Sequence, residues 1–315
     1  GGGGGGGGGN VVAVGERTFS LKQMRELIDE LYASKAKHDA KCAESGLPRE
    51  TVEQHLYTFL NTKYGLKALI VEYANATLDG ITRYAATDND VSVFGCLMRN
   101  EVDEEFRFVQ KQLKQTVLEL LRVYLKGKYP LKVDADVHAI LQTKASGSIL
   151  EEEWVDIVKY MYNAEDAAML TSRIRDQARA GWHASATAPR EPVTSRRAVE
   201  TRPTRTFKLP YHDFVKVLLD FQLAGHRRFL ASFVSLFREV DPDGRGTLQE
   251  ASFRELLHRL DPGKDEAQVR AILATIDPHN WQQMTFSDCV ATLSADLVRM
   301  LGDAPEETTD APAVD

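Results

Sequence analysis

The sequence predicts an all-α protein, in which an N-terminal helical bundle is followed by repeated helix–loop–helix units. Long runs carry apolar residues every three or four positions, which places those residues on one face of a helix. Two such runs belong to the predicted bundle: Leu21, Met24, Leu27, Ile28 and Leu31, and then Phe106, Val109, Leu113, Val117, Leu120, Leu121 and Tyr124. Later runs are interrupted by segments of twelve residues, two of which contain glycine, and these segments predict loops between helices.

Local signals predict where some bundle helices begin. Ser20 followed by Gln23 predicts a capping box, in which each residue satisfies a free backbone N–H of the other. Pro48 with Glu50 predicts a second helix start. The polar run 88–90 predicts a turn.

Composition excludes several classes of function. The chain has 315 residues, of which 43% are hydrophobic and 27% charged, and no apolar run reaches the length that a membrane helix needs. The net charge of −7 argues against nucleic-acid binding, because proteins that follow phosphates carry an excess of Lys and Arg. We therefore expect protein partners, with no nucleic acid and no membrane.

Cysteine usage predicts a reducing compartment. Cys42, Cys96 and Cys289 are too far apart for a disulfide framework or a zinc motif, so we expect a cytoplasmic protein. The histidines show no metal-ligand spacing with these cysteines. Residues 1–16 begin with nine glycines and are expected to be a disordered linker or tail without a signal peptide.

Two twelve-residue loops in the region 226–300 share one pattern. Residues 241–252 begin with an acid, have Gly246 at position 6 and Leu248 at position 8, and lie between two amphipathic helices. Residues 277–288 repeat the opening acid and the flanking helices, with Met284 at position 8, but Gln282 replaces the glycine at position 6. Because one helix–loop–helix cannot bury its apolar face alone, we expect the two to pair, with Leu248 and Met284 meeting in a short β-bridge.

The same pattern predicts an earlier pair of loops in the region 131–225. Its pattern residues are Gly147, Ile149 and Glu153 in loop 142–153, and Leu209 and Asp213 in loop 202–213. The helix before the second of these loops is predicted over about 165–180, and a basic insertion over 181–206 separates it from the loop.

These loops and their flanking helices resemble the calmodulin superfamily over residues 134–298. The resemblance implies two EF-hand lobes, which are four helix–loop–helix motifs with short β-bridges, and a linker helix near Gly225. It also implies that each lobe can open a groove for a partner helix. The candidate partner-binding residues are Trp154, Met161, Phe221, Phe237 and Leu257.

None of the four loops carries a full set of calcium ligands. Calcium takes oxygens from side chains at positions 1, 3 and 5, a carbonyl at 7 and a bidentate acid at 12. The best loop has Arg245 at position 5 and Ser252 at position 12. The vestigial ligand positions are Asp241, Asp243, Thr247, Asp277, Asp288 and Glu153. We therefore expect no bound metal and no calcium cofactor, and the alternative is a calcium-responsive regulator.

The segment 19–67, which contains LPRETVEQHLY and LNTKYGLK, resembles the N-terminal helical region of cilium- and flagellum-associated proteins that carry EF-hand-like domains. The resemblance implies an axonemal, microtubule-associated component of the cytoskeleton. An unrelated helical bundle is the alternative.

A basic stretch of the sequence is a second candidate for binding a partner, besides the grooves of the lobes. Between Thr171 and Lys208 there are nine Lys and Arg against three acids, a local charge of +6. Such a patch could bind the acidic tails of tubulin through Arg190, Arg196, Arg197, Arg202 and Arg205. A solvated loop is the alternative. Trp182, beside this stretch, is a candidate interface anchor.

No catalytic motif supports an enzyme, and the predicted function is that of a structural scaffold or adaptor. The predicted division has five parts: a glycine-rich segment 1–16, a helical domain 17–130, a degenerate EF-hand pair 131–225, a second degenerate pair 226–300 and an acidic tail 301–315.

Overall fold

The structure, a computed structural model, describes residues 17–186 and 208–302, without the side chains of 181–186 and 300–302. Thirteen helices and four strands of two or three residues form these described parts, so the predicted all-α fold is confirmed. The glycine-rich segment, the five arginines of the basic insertion and nearly all of the acidic tail lie outside the described residues.

Contacts divide the chain into two compact units. The first contains residues up to Glu101 together with those from Phe233 onward, and the second contains Val102–Ser232. The division predicted from the sequence instead consists of consecutive domains, with boundaries near residues 130 and 225. The N-terminal helices therefore share a compact unit with the last two helix–loop–helix motifs, which no feature of the sequence indicates.

The first unit begins with four helices. They are α1 (Leu21–Ser45), α2 (Val52–Tyr64), α3 (Lys67–Tyr84) and α4 (Asn89–Met98). Buried side chains from all four, among them Met24, Leu56, Ile81 and Phe94, form their common core.

Capping residues fix the starts of these helices. The predicted capping box at Ser20 and Gln23 is present. The predicted start at Pro48 is wrong, because Thr51 caps α2 with its hydroxyl accepting from the Gln54 N–H at 3.1 Å. The predicted turn over 88–90 is also wrong, because the buried carboxylate of Asp88 accepts from the Val91 N–H at 2.9 Å and so begins α4.

The second unit starts with α5 (Phe106–Lys128) and contains the first two helix–loop–helix units. Its elements are α6 (Asp134–Ala145), β1 (Ser148–Leu150), α7 (Glu151–Met161), α8 (Ala164–Ala186), β2 (Lys208–Pro210) and the 30-residue α9 (Tyr211–Val240). Helix α8 continues to Ala186, so the basic insertion begins later than the predicted residue 181. Gly225 lies inside α9, whose residues from Phe233 onward belong to the first unit.

A continuous apolar core fills the second unit. Helix α5 contributes Leu113, Val117, Leu121 and Leu125. They are spaced four residues apart, which places them on a single buried face of the helix. The fully buried Trp154 of α7 belongs to the same core, together with residues of α8 and α9.

The rest of the first unit contains the other two helix–loop–helix units. Its elements are β3 (Thr247–Leu248), α10 (Glu250–Leu260), α11 (Glu266–Ile276), β4 (Met284–Thr285), α12 (Phe286–Thr292) and α13 (Ser294–Gly302). Phe233, Phe237 and Phe286 form an aromatic cluster with ring centroids 5.1 to 6.2 Å apart.

The loops pair as the position-8 pattern predicts. Strands β3 and β4 are antiparallel, with Leu248 opposite Met284, and both side chains are buried. Strands β1 and β2 pair in the same way, with Ile149 opposite Leu209. Each pairing joins two loops and buries one apolar residue from each, so each pair of helix–loop–helix units is held together through its loops.

Candidate functional site: the four interhelical loops

The two loops of the first unit, 241–252 and 277–288, have the same backbone. Positions 4 and 6 are left-handed in both: φ is 64° at Gly244 and 69° at Gly246, and 55° at Asn280 and 57° at Gln282. Glycine adopts this conformation without strain, whereas other residues lose roughly 1–2 kcal/mol. The fourth loop therefore keeps the turn that glycine would supply, although it carries other residues there.

The aspartate at position 1 folds each of these loops onto itself. The carboxylate of Asp241 accepts from the N–H groups of Arg245 and Gly246 at 3.1 and 2.7 Å. Asp277 accepts from Trp281 and Gln282 at 2.8 and 2.9 Å. Hydrogen bonds from N–H groups to a charged acceptor are stronger than those between neutral groups. These hydrogen bonds within each loop stabilise the conformation of both loops.

The side chain of Gln282 offsets part of its backbone strain. Its Oε1 accepts from the N–H of Glu250 in the partner loop at 2.9 Å, and its Nε2 donates to Asn280 Oδ1. Glycine could make neither contact. The hydrogen bonds that Glu250 accepts, first from the Arg254 guanidinium and then from Gln282, lower the pKa of that carboxyl group.

The side chains of the fourth loop contact the connection between α1 and α2, which we define as residues 46–51. Trp281 at position 5 donates from Nε1 to the Gly46 carbonyl at 2.6 Å. Gln283 at position 7 donates from Nε2 to the Arg49 carbonyl at 3.3 Å. Asp288 at position 12 accepts from Arg49 Nη1 at 3.2 Å.

Position 3 of the same loop completes this contact. A Cβ atom placed on Gly46 would lie 2.7 Å from Nε2 of His279, so the imidazole sits against a residue that has no side chain. Gly46 has φ of 64° and ends α1, with its N–H bonded to the Cys42 carbonyl. The left-handed backbone of residue 46 favours glycine, and any other side chain there would also have to displace the imidazole.

Positions 3, 5, 7 and 12 are the places from which a calcium-binding loop directs its ligands. In the fourth loop all four contact the connection 46–51. A protein segment therefore engages the side chains at all four of these positions. Burial raises the pKa of the adjacent Cys289 thiol well above its usual value, so Cys289 remains protonated and adds no charge.

The first loop is shorter than predicted, because α6 continues to Ala145 and Gly147 does not adopt the left-handed turn. This loop contains its own cation. Lys144 at position 3 places Nζ 2.6 Å from Oε1 and 2.8 Å from Oε2 of Glu153 at position 12. Glu153 is fully buried, and its Oε2 also accepts from the N–H of Leu150 at 2.8 Å. An isolated buried carboxylate is strongly unfavourable, so the ammonium supplies the charge that this position needs.

The third loop shows a weaker version of the same pairing. Arg245 at position 5 lies 3.2 Å from Asp243 at position 3, with both side chains exposed. Exposed pairs of this kind contribute about 0–1 kcal/mol. Thr247 at position 7 pairs with Thr285 in the strand ladder.

Only part of the second loop is described. Asp213 at its position 12 is exposed and lies 3.5 Å from Nδ1 of the neighbouring His212. Positions 1 to 6, which are residues 202–207, lie outside the described parts of the chain.

The candidate partner-binding residues divide into two groups. Trp154, Phe237 and Leu257 are buried in the cores of their units. Met161 and Phe221 are partly buried and pack against the core of the second unit, where Phe221 meets Tyr162 edge to face at 5.4 Å. A partner could reach the first group only if the helices separated. The side chain of Trp182 is not described.

No family model, no curated protein and no solved structure matches this chain. Within residues 17–186 and 208–302, no helix combines the length and the apolar character needed to cross a membrane.

We predict that Gly46→Ala destabilises the protein more than Gly65→Ala. Both glycines end a helix with nearly the same φ, 64° and 65°, but only Gly46 is close to a side chain of the fourth loop. The left-handed backbone should cost each variant about 1 kcal/mol, and displacing His279 should cost Gly46→Ala roughly 1 kcal/mol more. Urea unfolding followed by circular dichroism measures both values.

The variant His279→Ala is the control for this comparison. In that background the two glycine substitutions should have equal effects. Equal effects in the wild-type background would show that His279 does not constrain Gly46.

Proposed function

We propose that this chain is a non-enzymatic structural scaffold whose four helix–loop–helix units are EF-hands of the calmodulin superfamily that keep their shape without calcium. Three features support the EF-hand interpretation: both pairs of loops meet through position 8, and in the third and fourth loops the position-1 aspartates bind backbone N–H groups and positions 4 and 6 are left-handed.

The observation that carries the proposal is the placement of basic side chains on the acids that calcium would need. Lys144 binds Glu153 and Arg49 binds Asp288, which are the two position-12 acids of the first and fourth loops. A tethered cation at this place leaves fewer free carboxylate oxygens for an ion and adds repulsion to it. These loops therefore hold their acids in a charge-balanced state that does not depend on calcium concentration.

A scaffold benefits from loops that do not respond to calcium. EF-hand sensors open a hydrophobic groove when the ion binds. Here Trp154, Phe237 and Leu257 are buried with the loops already charge-balanced. In this proposal the lobes provide a permanent shape, and any partner helix that reaches those residues must itself supply the free energy that separates the helices.

The cellular setting of the proposal is the axoneme. It rests on the resemblance of segment 19–67 to cilium- and flagellum-associated proteins, and the partners would be axonemal or microtubule-associated proteins. The basic stretch with Arg190, Arg196, Arg197, Arg202 and Arg205 is the proposed contact for the acidic tails of tubulin.

We predict that the chain shows no saturable calcium binding below about 1 mM, because no loop offers a complete ligand set. The variant Arg245→Asp with Ser252→Glu completes the acids at positions 1, 3, 5 and 12 of the third loop, and it retains Asp241, Asp243 and Gly246. This variant should bind one calcium ion with a dissociation constant on the order of 10 µM or tighter. Isothermal titration calorimetry measures both.

The variant Arg245→Asp with Ser252→Gln provides the matched control, since it lacks only the bidentate acid at position 12 and should not bind calcium at these concentrations. Micromolar binding by the wild-type chain would contradict the proposal and favour a calcium-responsive regulator.

We predict that the protein remains with axonemes after detergent extraction. A variant lacking residues 183–204 should co-sediment less with microtubules at low salt, while the two proteins should behave alike at high salt, because salt screens contacts between exposed charges. Recovery of the wild-type protein entirely in the soluble fraction, or identical sedimentation of the two proteins at low salt, would contradict the axonemal setting.

A further inference from the structure

Three side chains around the junction of α1 and α2 form a compact group of nitrogen and oxygen donors. His38 lies on α1, Glu50 precedes the cap of α2, and His55 lies in the first turn of α2. One donor atom from each residue lies within 4.8 Å of the other two. Glu50 Oε2 is 2.8 Å from His55 Nδ1 and 3.6 Å from His38 Nε2.

These separations suit the coordination shell of a small divalent ion. Zinc binds histidine nitrogen and carboxylate oxygen at about 2.0–2.2 Å, so two ligands in a tetrahedral site are roughly 3.3–3.6 Å apart. The separation between Glu50 Oε2 and His38 Nε2 has this value. The shorter one, between Glu50 Oε2 and His55 Nδ1, is a direct hydrogen bond, and it would lengthen by roughly 1 Å or less when an ion replaces the shared proton.

Neighbouring residues orient two of the three donors. The second nitrogen of His55, Nε2, lies 3.0 Å from Ser34 Oγ, which leaves Nδ1 directed to Glu50. Glu50 Oε1 accepts from Thr58 Oγ1 at 2.8 Å, which leaves Oε2 directed to the histidines. Hydrogen bonds to the outer atoms of ligands are a regular feature of metal sites, because they fix ring orientation and tautomer.

Burial and charge are also suitable for a cation. The His55 side chain is 2% exposed, whereas those of Glu50 and His38 are 23% and 32% exposed, so the group is anchored inside and open on one side. The nearest basic residues are engaged by acids: Lys35 binds Asp39 at 2.8 Å, and Arg49 binds Asp288. Cys42 Sγ lies 3.4 Å from His38 Nε2, which brings a thiol to the edge of the group.

We propose that His38, Glu50 and His55 bind a divalent transition-metal ion of the zinc class, with the fourth position taken by water. Two imidazoles and one carboxylate are donors that zinc accepts, whereas calcium prefers oxygen alone. Because the three ligands come from α1, the α1–α2 connection and α2, the ion ties the two helices together beside the contact of the fourth loop. The site is independent of the proposed scaffold function.

The test uses the full chain after treatment with a chelator and desalting. Titration with zinc sulfate in the presence of excess calcium should show one ion bound per chain. His38→Gln should weaken the affinity at least about tenfold, as removal of a ligand requires. His258→Gln, which changes an exposed histidine on α10, is the matched control and should bind zinc as the wild type does.

His38 is the residue to change because its side chain is one-third exposed, whereas replacing the buried His55 could disturb the core. Glu50→Gln provides a second variant, and circular dichroism establishes that each is folded. Zinc should also raise the melting temperature of the wild type and of His258→Gln but not that of folded His38→Gln or Glu50→Gln. Absence of zinc binding by the wild type, or equal weakening by His38→Gln and His258→Gln, would overturn the proposal.

Discussion

Charge balance at the position-12 acids of the first and fourth loops is the constraint on which the contacts of these loops depend. A helix–loop–helix that turns carboxylates inward must supply a positive charge, because buried carboxylates without one are strongly disfavoured. Calcium is one source of that charge. In this chain Lys144 provides it for the buried Glu153, and Arg49 provides it for Asp288.

The two solutions differ in how far apart the partners lie in the sequence. Lys144 and Glu153 belong to one loop, so their ion pair stabilises the loop by itself. Arg49 is 239 residues from Asp288 and comes from the α1–α2 connection. This contact joins the N-terminal helices to the fourth loop within the first compact unit.

The indole of Trp281 and the imidazole of His279 also take part in the contact between the fourth loop and the connection 46–51. Both occupy positions where oxygen ligands would be expected, and both contact Gly46. Glycine at residue 46 allows the left-handed end of α1 and the approach of the imidazole together. The fourth loop is therefore a specific docking surface for another part of the chain, the connection 46–51.

Sequence reasoning predicts the elements that depend on short-range patterns. The spacing of apolar residues predicts the helices, and the residue at position 8 of each loop predicts that Leu248 pairs with Met284. Both signals are local, because they depend only on residues close together in the sequence. Local reasoning was wrong where two signals compete: Thr51 rather than Pro48 begins α2, and Asp88 begins a helix rather than a turn.

The contacts that define the candidate site could not be predicted from spacing. His279, Trp281 and Gln282 are recognisable from the sequence as poor ligands, but nothing there indicates that Gly46 and Arg49 would meet them. The group of His38, Glu50 and His55 was missed because a search for histidines spaced with cysteines passes over ligands that a helix junction brings together.

Amide hydrogen exchange measured by mass spectrometry tests the central claim most directly. If the connection 46–51 takes the place of an ion in the fourth loop, then Arg49→Gln should speed exchange in peptides covering 277–288 and in those covering 46–51, and leave peptides covering 142–153 unchanged. Excess calcium should alter none of these rates in the wild type. Slower exchange in 277–288 on adding calcium, or unchanged exchange in Arg49→Gln, would contradict the account.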